Sequence, residues 1–236
     1  MPLPTAPFDT TKSLFAGLNV IQFEPDSGAL SAVTAEADDD IFTKTAHGLA
    51  DGDIVVFASG TGFTGITAGT NYYVRDKTDD TFKLAATAAG AAIDITVDGS
   101  AGVFRPTEIF ESKKLDHQYA PEYFEHKRPD AKGVQRIARK ILVGSTESWM
   151  HEVDEAKRLL DLFSNSLAGI VDGIATLWQP DPDDGAGEVA LKSERFACTI
   201  EREGDLAGGS SSLSIAQIKI TSKKLGPVTF TADATA

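Results

Sequence analysis

The chain has 236 residues, 42% of them hydrophobic and 24% charged, and this composition excludes a collagen-like or wholly disordered protein. The 35 acidic residues outnumber the 22 basic ones and give a formal net charge of −13, which disfavours binding to nucleic acid over much of the surface, because phosphate binding requires clustered Lys and Arg. The single cysteine, Cys198, excludes an intrachain disulfide and a cysteine cluster for zinc, and no apolar run is long enough for a transmembrane helix.

The first segment, from Met1 to about Ser31, begins with a proline-rich arm. Proline disfavours helices and central strands, so we expect an extended conformation here, and the arm lacks the basic start and apolar stretch of a secretory signal. Residues Ser13–Phe23 then predict a β-strand with Phe15, Ile21 and Phe23 on one face. The other face is apolar as well, so we expect burial on both sides, by the core and by a neighbouring subunit. Phe15, Ile21 and Phe23 are the candidate contacts with that subunit.

The central segment, about residues 32–104, differs in composition from its flanks. It is rich in Ala, Thr, Gly and Asp and contains 11 acidic residues against four basic ones. Short strand candidates separated by turn signals predict a small antiparallel β-barrel, inserted as a module between residues 1–31 and 105–236 of a host domain. We expect the module to project outward and to be dispensable for assembly. The strand candidates are Ile41–Thr45, Asp53–Ala58, Asn71–Asp76, Thr81–Ala85 and Ile93–Val97.

The third segment, from Arg105 to Ala236, predicts longer elements. Apolar residues from Trp149 to Leu167 recur at steps of four and three, so they predict one amphipathic helix over about residues 148–167. With this helix packed against the strands, we expect a mainly β fold, an antiparallel β-sandwich or barrel, for the host domain. The strand candidates are Arg136–Val143, Gly173–Gln179, Val189–Arg202, Ser212–Thr221 and Pro227–Thr231.

Two motifs resemble ligand-binding sequences. The segment Gly60-Thr-Gly-Phe-Thr-Gly65 matches a dinucleotide fingerprint, but such a loop must open a helix, and here a turn and a strand follow. We therefore interpret it as a flexible loop. The acidic runs Asp38–Asp40 and Asp181–Gly185 lack the spacing of a calcium loop, so we interpret both as solvated turns.

No catalytic arrangement is evident among the nucleophilic and titratable residues. The four histidines, His47, His117, His126 and His151, form no pair at ligand spacing, and a Gly-x-Ser-x-Gly elbow is absent from the sequence. Cys198 alternates with two apolar residues on one predicted strand, which is typical of a small core residue. We therefore predict no catalytic residue, no cofactor and no metal, and a protein that is not an enzyme.

One basic segment stands out, His126–Lys140, with six Lys and Arg residues against the single acid Asp130. It has neither the aromatic platforms nor the reading helix of a nucleic-acid site. Two interpretations stay open. Arg136, Arg139 and Lys140 contact an acidic surface of another copy, or the segment is a solvated strand and loop.

Four stretches of the central segment share the succession of residues of a known module. They are Asp40–Phe57, Ala68–Asp76, Asp80–Leu84 and Ala91–Thr96. On these residues the segment resembles a module that recurs in phage structural proteins, a small β-barrel similar to the first catalytic-cysteine half-domain of ubiquitin-activating enzymes. The resemblance implies no enzymatic activity, because the segment has no cysteine and the chain has no nucleotide-binding signature. In phage proteins such modules decorate tails and other parts of the virion.

The flanking segments resemble a phage major tail tube protein in their N-terminal arm, long strand pair, long loop and single helix within an antiparallel sandwich. The resemblance implies hexameric rings, made in the host cytoplasm and stacked in the virion tail around a channel for DNA. It also implies contacts with tape-measure and with tail-terminator or baseplate proteins, and no membrane insertion. A net charge of −13 suits a channel that does not hold DNA as it passes.

A second hypothesis is a minor tail or baseplate adhesin whose module binds a cell-surface glycan. The number of copies distinguishes the two hypotheses, because a tube subunit is among the most abundant virion proteins. A third hypothesis, an enzyme such as a depolymerase, lacks a pair of acids on matched elements.

Overall fold

A computed structural model describes residues 19–127, 134–149, 163, 169–180, 190–202, 207–209, 212–223 and 229–232. This part of the chain is mainly β, as predicted, and its strands pair antiparallel throughout. A single 3-10 turn, Asp26–Gly28, follows the first strand. The strands are β1 (Asn19–Pro25), β2 (Leu30–Glu36), β3 (Ile41–Thr43), β4 (Ile54–Thr61), β5 (Asn71–Arg75), β6 (Thr81–Ala85), β7 (Gly99–Lys127), β8 (Val134–Trp149), β9 (Ile170–Pro180), β10 (Ala190–Ser193), β11 (Phe196–Arg202), β12 (Ala207–Gly209), β13 (Ser212–Ser222) and β14 (Phe230–Ala232).

The first barrel contains β2 to β6 and residues 99–107 of β7. Its strands pair in the order β7, β2, β3, β6, β5 and β4, and β4 pairs again with β7, so the circuit closes. Closure removes exposed sheet edges and encloses a core of alternating apolar side chains. Phenylalanine rings dominate this core, where Phe42 and Phe82 stack with their centroids 5.5 Å apart. The small antiparallel barrel predicted from the spacing of short strands is therefore present.

The second barrel closes in the same way through β1, β9, β11, β13, β8 and a later part of β7. Within the described residues, β10 and β14 extend it beyond β9, and β12 extends it beyond β13. Its core is separate from that of the first barrel. The buried members are Ile21, Phe23, Phe163, Val171, Ala175, Leu177, Phe196, Cys198, Ile200, Ile218 and Ile220.

Strand β7 is 29 residues long and belongs to both barrels. After leaving the first barrel it pairs with β1 through residues 108–112 and with β8 through residues 112–127. Beyond residue 118 of β7, and before residue 143 of β8, these two strands have no other strand partner among the described residues. We call this segment, residues 119–127 and 134–142, the ribbon. At about 3.3 Å per residue it extends roughly 30 Å past the barrel.

Several predicted elements need correction. Ser148 and Trp149, the predicted start of the helix, are the last residues of β8 and pair with β13. An apolar residue such as Trp149 suits a strand in the wall of a barrel as well as a helix face, and here the strand pairs with β13. Phe163 is helical and buried, whereas residues 150–162 and 164–168 lie outside the described part.

The candidate strand Ile93–Val97 is not a strand: an isolated bridge just before it joins Ala92 to Ala85, and the N–H of Ile93 donates to the carbonyl of Leu84 at 2.8 Å. Side chains replace the ladder here, because the Asp40 carboxylate accepts the backbone N–H of Ile95 at 2.8 Å. The predicted strand Val189–Arg202 is two strands, β10 and β11, separated at Arg195. Strands β2, β7 and β12 were not among the sequence predictions, and the host and module boundaries at residues 31 and 105 stay a prediction.

Candidate functional site

Strand β1 is the central strand of the contact between the two barrels. It pairs with β7 on one side and with β9 on the other. Ile21 and Phe23, predicted to contact another subunit, are 0% exposed within the single chain and belong to the core of the second barrel. For these two residues the expectation of an intersubunit contact is therefore wrong. Phe15, the third member of that set, lies outside the described residues.

The opposite face of β1, which we call its outer face, consists of Val20, Gln22 and Glu24, and all three are buried. The side-chain amide of Gln22 donates from Nε2 to Oδ1 of Asn71 on β5, at 2.8 Å. Asn71 is itself 4% exposed. The first barrel of the same chain thus contacts the outer face of β1, and both faces of this strand are buried within one chain.

A buried ion pair lies beside this amide pair. Arg195, between β10 and β11, donates from Nη2 to Oε2 of Glu24, and the two side chains are 3% and 1% exposed. Loss of hydration on burial raises the pKa of Glu24 even though Arg195 opposes that shift. Among the described residues, Oε1 of Glu24 and Nε of Arg195 have no hydrogen-bond partner. The pair is therefore incompletely satisfied, which limits what it adds to stability.

Two chain segments connect the barrels next to this contact, and we call them the joint. One is the turn after β1, and the other is β7 as it passes from Arg105 to Thr107. Arg105 donates from Nη1 to Oδ1 of Asp26 at 2.6 Å, across the two segments. Gly28 lies beside Pro106, since a Cβ at Gly28 would be 3.8 Å from the proline ring. The two segments therefore contact one another.

The ribbon contains the cationic residues that the sequence assigned to intersubunit contact. Its register places Arg136 opposite Glu125, Arg139 opposite Glu122, and Lys140 opposite Pro121. Opposite charges at directly opposed positions stabilise an antiparallel pair by roughly 0.2–1 kcal/mol. Two of the three cations are thus register partners of acidic residues in their own chain. This pairing could not be predicted from the sequence, because strand β7 was not among the predicted elements.

The glycine-rich segment after β4 has a structural role in the first barrel. No helix follows it, and Gly62 and Gly65 both have a φ of +82°. The ring of Phe63 lies against Gly60 and Gly102, where an added Cβ would come within 2.5 Å of ring atoms. The segment is followed by a turn and strand β5, as the sequence indicated, and packing of Phe63 explains its glycines better than flexibility does.

The acidic residues of the first barrel hold its turns. Asp38 and Asp39 lie exposed in a turn, as predicted, and Asp98 accepts the backbone N–H of Ala37 at 2.9 Å. At the other end of the barrel, Asp80 accepts the N–H of Ala46 at 2.9 Å. No group of three or more metal-ligating side chains occurs among the described residues, and Asp181–Gly185 lies outside them.

His47 and Cys198 are both core residues. Nδ1 of His47 accepts the N–H of Leu49 at 3.0 Å, so Nε2 carries the proton and donates to the carbonyl of Thr81 at 3.2 Å. Cys198 is 0% exposed, and burial raises the pKa of its thiol, which confirms the predicted core position. His117 and His126 lie in β7, and His151 lies outside the described part.

No protein-family model, no curated protein and no solved structure matches this chain. The resemblance to phage tail proteins therefore rests on the sequence. In the described part of the chain, no helix has the length and apolar character to cross a bilayer. The features from which a function can be argued are the ribbon and the buried contact between the barrels.

Proposed function

We propose that this protein is the tail tube subunit of a tailed phage or a related particle, a structural protein that assembles into stacked rings. The observation that supports the proposal is the ribbon, in which residues 119–127 and 134–142 pair only with each other among the described residues. A two-stranded hairpin alone is at best marginally stable in water, and its unpaired edges are templates for other strands. A ribbon that extends roughly 30 Å from its barrel therefore needs a partner.

A second copy of this chain suits that role by charge. Residues 119–142 contain six basic and three acidic residues, whereas the remaining chain contains sixteen basic and thirty-two acidic ones. A ribbon of net positive charge is attracted to the acidic surface of a neighbouring copy, and this attraction favours orientation and rate of association more than affinity. A head-to-tail contact, in which two different surfaces of the same chain meet, forms a closed ring when the rotation from one copy to the next adds up to a full turn.

The remaining parts of the proposal follow from the sequence resemblance. Rings of six copies stack into the virion tail, contact tape-measure and tail-terminator or baseplate proteins, and enclose a channel. DNA passes through this channel without specific binding, because an acidic wall repels phosphate.

The ribbon can be removed without breaking the barrel. Gln118 and Val143 are register partners, so residues 119–142 can be replaced by Asn-Gly, a sequence that closes a two-residue hairpin turn. We expect the shortened variant to fold and to stay monomeric in analytical ultracentrifugation, whereas the full chain forms rings or tubes of uniform diameter by negative-stain microscopy. The matched control replaces only residues 128–133 and keeps the paired strands.

Two results would contradict the proposal. If the shortened variant forms tubes as readily as the full chain, the ribbon does not carry assembly. If the full chain is monomeric at every concentration and is present in only a few copies per virion, the adhesin becomes the better hypothesis, and binding to a glycan array would test it.

A further inference from the structure

The two barrels contact each other through the strand faces that are opposite to their own cores. On β4, Val55 and Phe57 belong to the core of the first barrel, while Val56 between them is 0% exposed and belongs to neither core. Val56 is the register partner of Asn71, so both lie on the outer face of the first barrel. Val20 and Trp178, register partners on β1 and β9, are likewise fully buried outside both cores.

This inter-barrel contact combines two kinds of interaction. Val20, Val56 and Trp178 are buried on these outer faces, and burial of apolar side chains is favourable but non-directional, because it depends on the area removed from water. The Gln22–Asn71 amide pair is directional, since a hydrogen bond weakens steeply when its angle changes.

The joint alone leaves the first barrel free to rotate relative to the second about one axis. The two connecting segments lie side by side, with Arg105 bonded to Asp26 across them, so together they define a single line of attachment. Two bodies attached along one line can still rotate about it. A directional contact away from that line removes this freedom, and the hydrogen bond from Gln22 on β1 to Asn71 on β5 provides one.

We propose that the Gln22–Asn71 amide pair fixes the orientation of the first barrel on the second and adds little net stability. Buried polar pairs are often replaceable by apolar residues without loss of stability, although they can specify one arrangement among several. Replacing both partners of a buried hydrogen bond by apolar groups of similar shape can be nearly neutral, and the second contact of this pair, from Asn71 Nδ2 to Gln22 Oε1, is long at 3.5 Å. This role could not be predicted from the sequence, because Asn71 lies 49 positions from Gln22 along the chain.

The orientation can be measured by distances between two spin labels. Ala88 in the first barrel and Thr231 on β14 are exposed, so Ala88→Cys and Thr231→Cys can be labelled in the full chain, while Cys198 is buried and does not compete. Dilution with unlabelled chain removes distances between copies. We expect one narrow distance distribution in this labelled protein, measured by double electron–electron resonance.

The test replaces both partners of the amide pair by apolar residues, Gln22→Leu with Asn71→Leu. We expect the distribution to broaden or split while the urea midpoint of unfolding is unchanged or higher. The matched control is Ile21→Val, a core residue next to Gln22 on the same strand. It should lower the urea midpoint and leave the distribution narrow.

Two results would overturn the proposal. A narrow distribution with a lowered urea midpoint would make the pair a stabilising contact only. A narrow distribution with an unchanged midpoint would mean that the joint and the apolar contact fix the orientation alone. If the double variant does not fold, Asn71→Ser removes the amide pair without adding volume. The distance distribution and the urea midpoint of this variant then test the proposal in the same way.

Discussion

The side chains of Gln22 and Asn71 join the two barrels by reciprocal amide hydrogen bonds. Gln22 Nε2 donates to Asn71 Oδ1 at 2.8 Å, and Asn71 Nδ2 returns a longer contact of 3.5 Å to Gln22 Oε1. A polar residue in the middle of β1 is thereby satisfied without water, although it is 0% exposed. This pair explains why both faces of β1 can be buried within one chain, and it changes what removal of the first barrel should do.

Deletion of the module should now damage the rest of the protein. When Ser31 is joined to Arg105 by a short Gly/Ser linker, the outer face of β1 loses its cover, and Val20 and Trp178 become exposed. Exposure of a large apolar side chain costs about 1.5–3 kcal/mol, and a contiguous patch promotes association. We expect the deletion variant to bind a hydrophobic dye and to elute as an aggregate in size-exclusion chromatography.

A second deletion variant provides the control. It carries Val20→Thr and Trp178→Gln in addition, which makes the uncovered face polar, and we expect it to bind less dye and to be more soluble. If the first deletion variant is soluble, binds no dye and polymerises normally, the module is dispensable after all and its contact with β1 has no part in folding.

Charge reversal in the ribbon should weaken assembly. Arg136→Glu with Arg139→Glu places like charges opposite Glu125 and Glu122 and removes cations available to a neighbouring copy. A surface ion pair typically contributes only about 0.2–1 kcal/mol, but a ring repeats such a contact in every copy. We expect shorter tubes by electron microscopy with an unchanged circular dichroism spectrum, and tubes of the unmodified protein should shorten as salt rises.

A fourfold variant distinguishes contacts within the ribbon from contacts between copies. Adding Glu122→Arg and Glu125→Arg to the reversed pair restores opposite charges across the register and restores the net charge of the ribbon. Contacts between copies depend on which positions carry the cations, so we expect the fourfold variant to stay impaired. Full recovery of tube length would show that Arg136 and Arg139 act only within their own chain.

Gly102 should not tolerate a side chain. A Cβ at this position would lie 2.5 Å from the Phe63 ring and 3.0 Å from the backbone oxygen of Val33, which cannot move as easily as the ring. Overpacking of this kind costs about 1–3 kcal/mol, so Gly102→Ala should lower the urea midpoint of unfolding. Gly28→Ala, whose Cβ would have only ordinary contacts at 3.8 Å, is the control and should change stability by less than about 0.5 kcal/mol.

Stability should depend on pH through Glu24. Burial raises the pKa of Glu24 above its ordinary value of 4.5, so the folded chain binds this proton more tightly than the unfolded chain does. Glu24 therefore contributes most to stability below pH 4.5, and its contribution falls as pH rises through the raised pKa. We expect the urea midpoint of the unmodified protein, relative to Glu24→Gln, to rise as pH is lowered from 7 towards 4.5. An opposite slope would mean that Arg195 outweighs desolvation.

The sequence predicts what depends on neighbouring residues along the chain. Alternation of apolar and polar residues, with turn residues on either side, correctly predicts β6 at Thr81–Ala85 and the core position of Cys198. A strand with one buried face has an apolar residue at every second position, and this pattern is visible in the sequence. The Gln22–Asn71 pair could not be predicted, because a polar residue on a strand normally indicates a solvent face. Trp149 was assigned to a helix because it begins a run of apolar residues spaced three and four positions apart. That spacing does not exclude a strand, and in the structure Trp149 is the register partner of Ile215 on β13.

The shared strand β7 sets the order in which the protein can fold during synthesis. The first barrel has all of its strands once residue 107 has left the ribosome, and its ladders span at most about 75 residues of sequence. The second barrel cannot close until β13 is made, so β1 has to wait for β9, about 150 residues downstream. At about 5–20 residues per second, that interval lasts several seconds or more. During this time the first barrel is the one completed surface against which the outer face of β1 can pack.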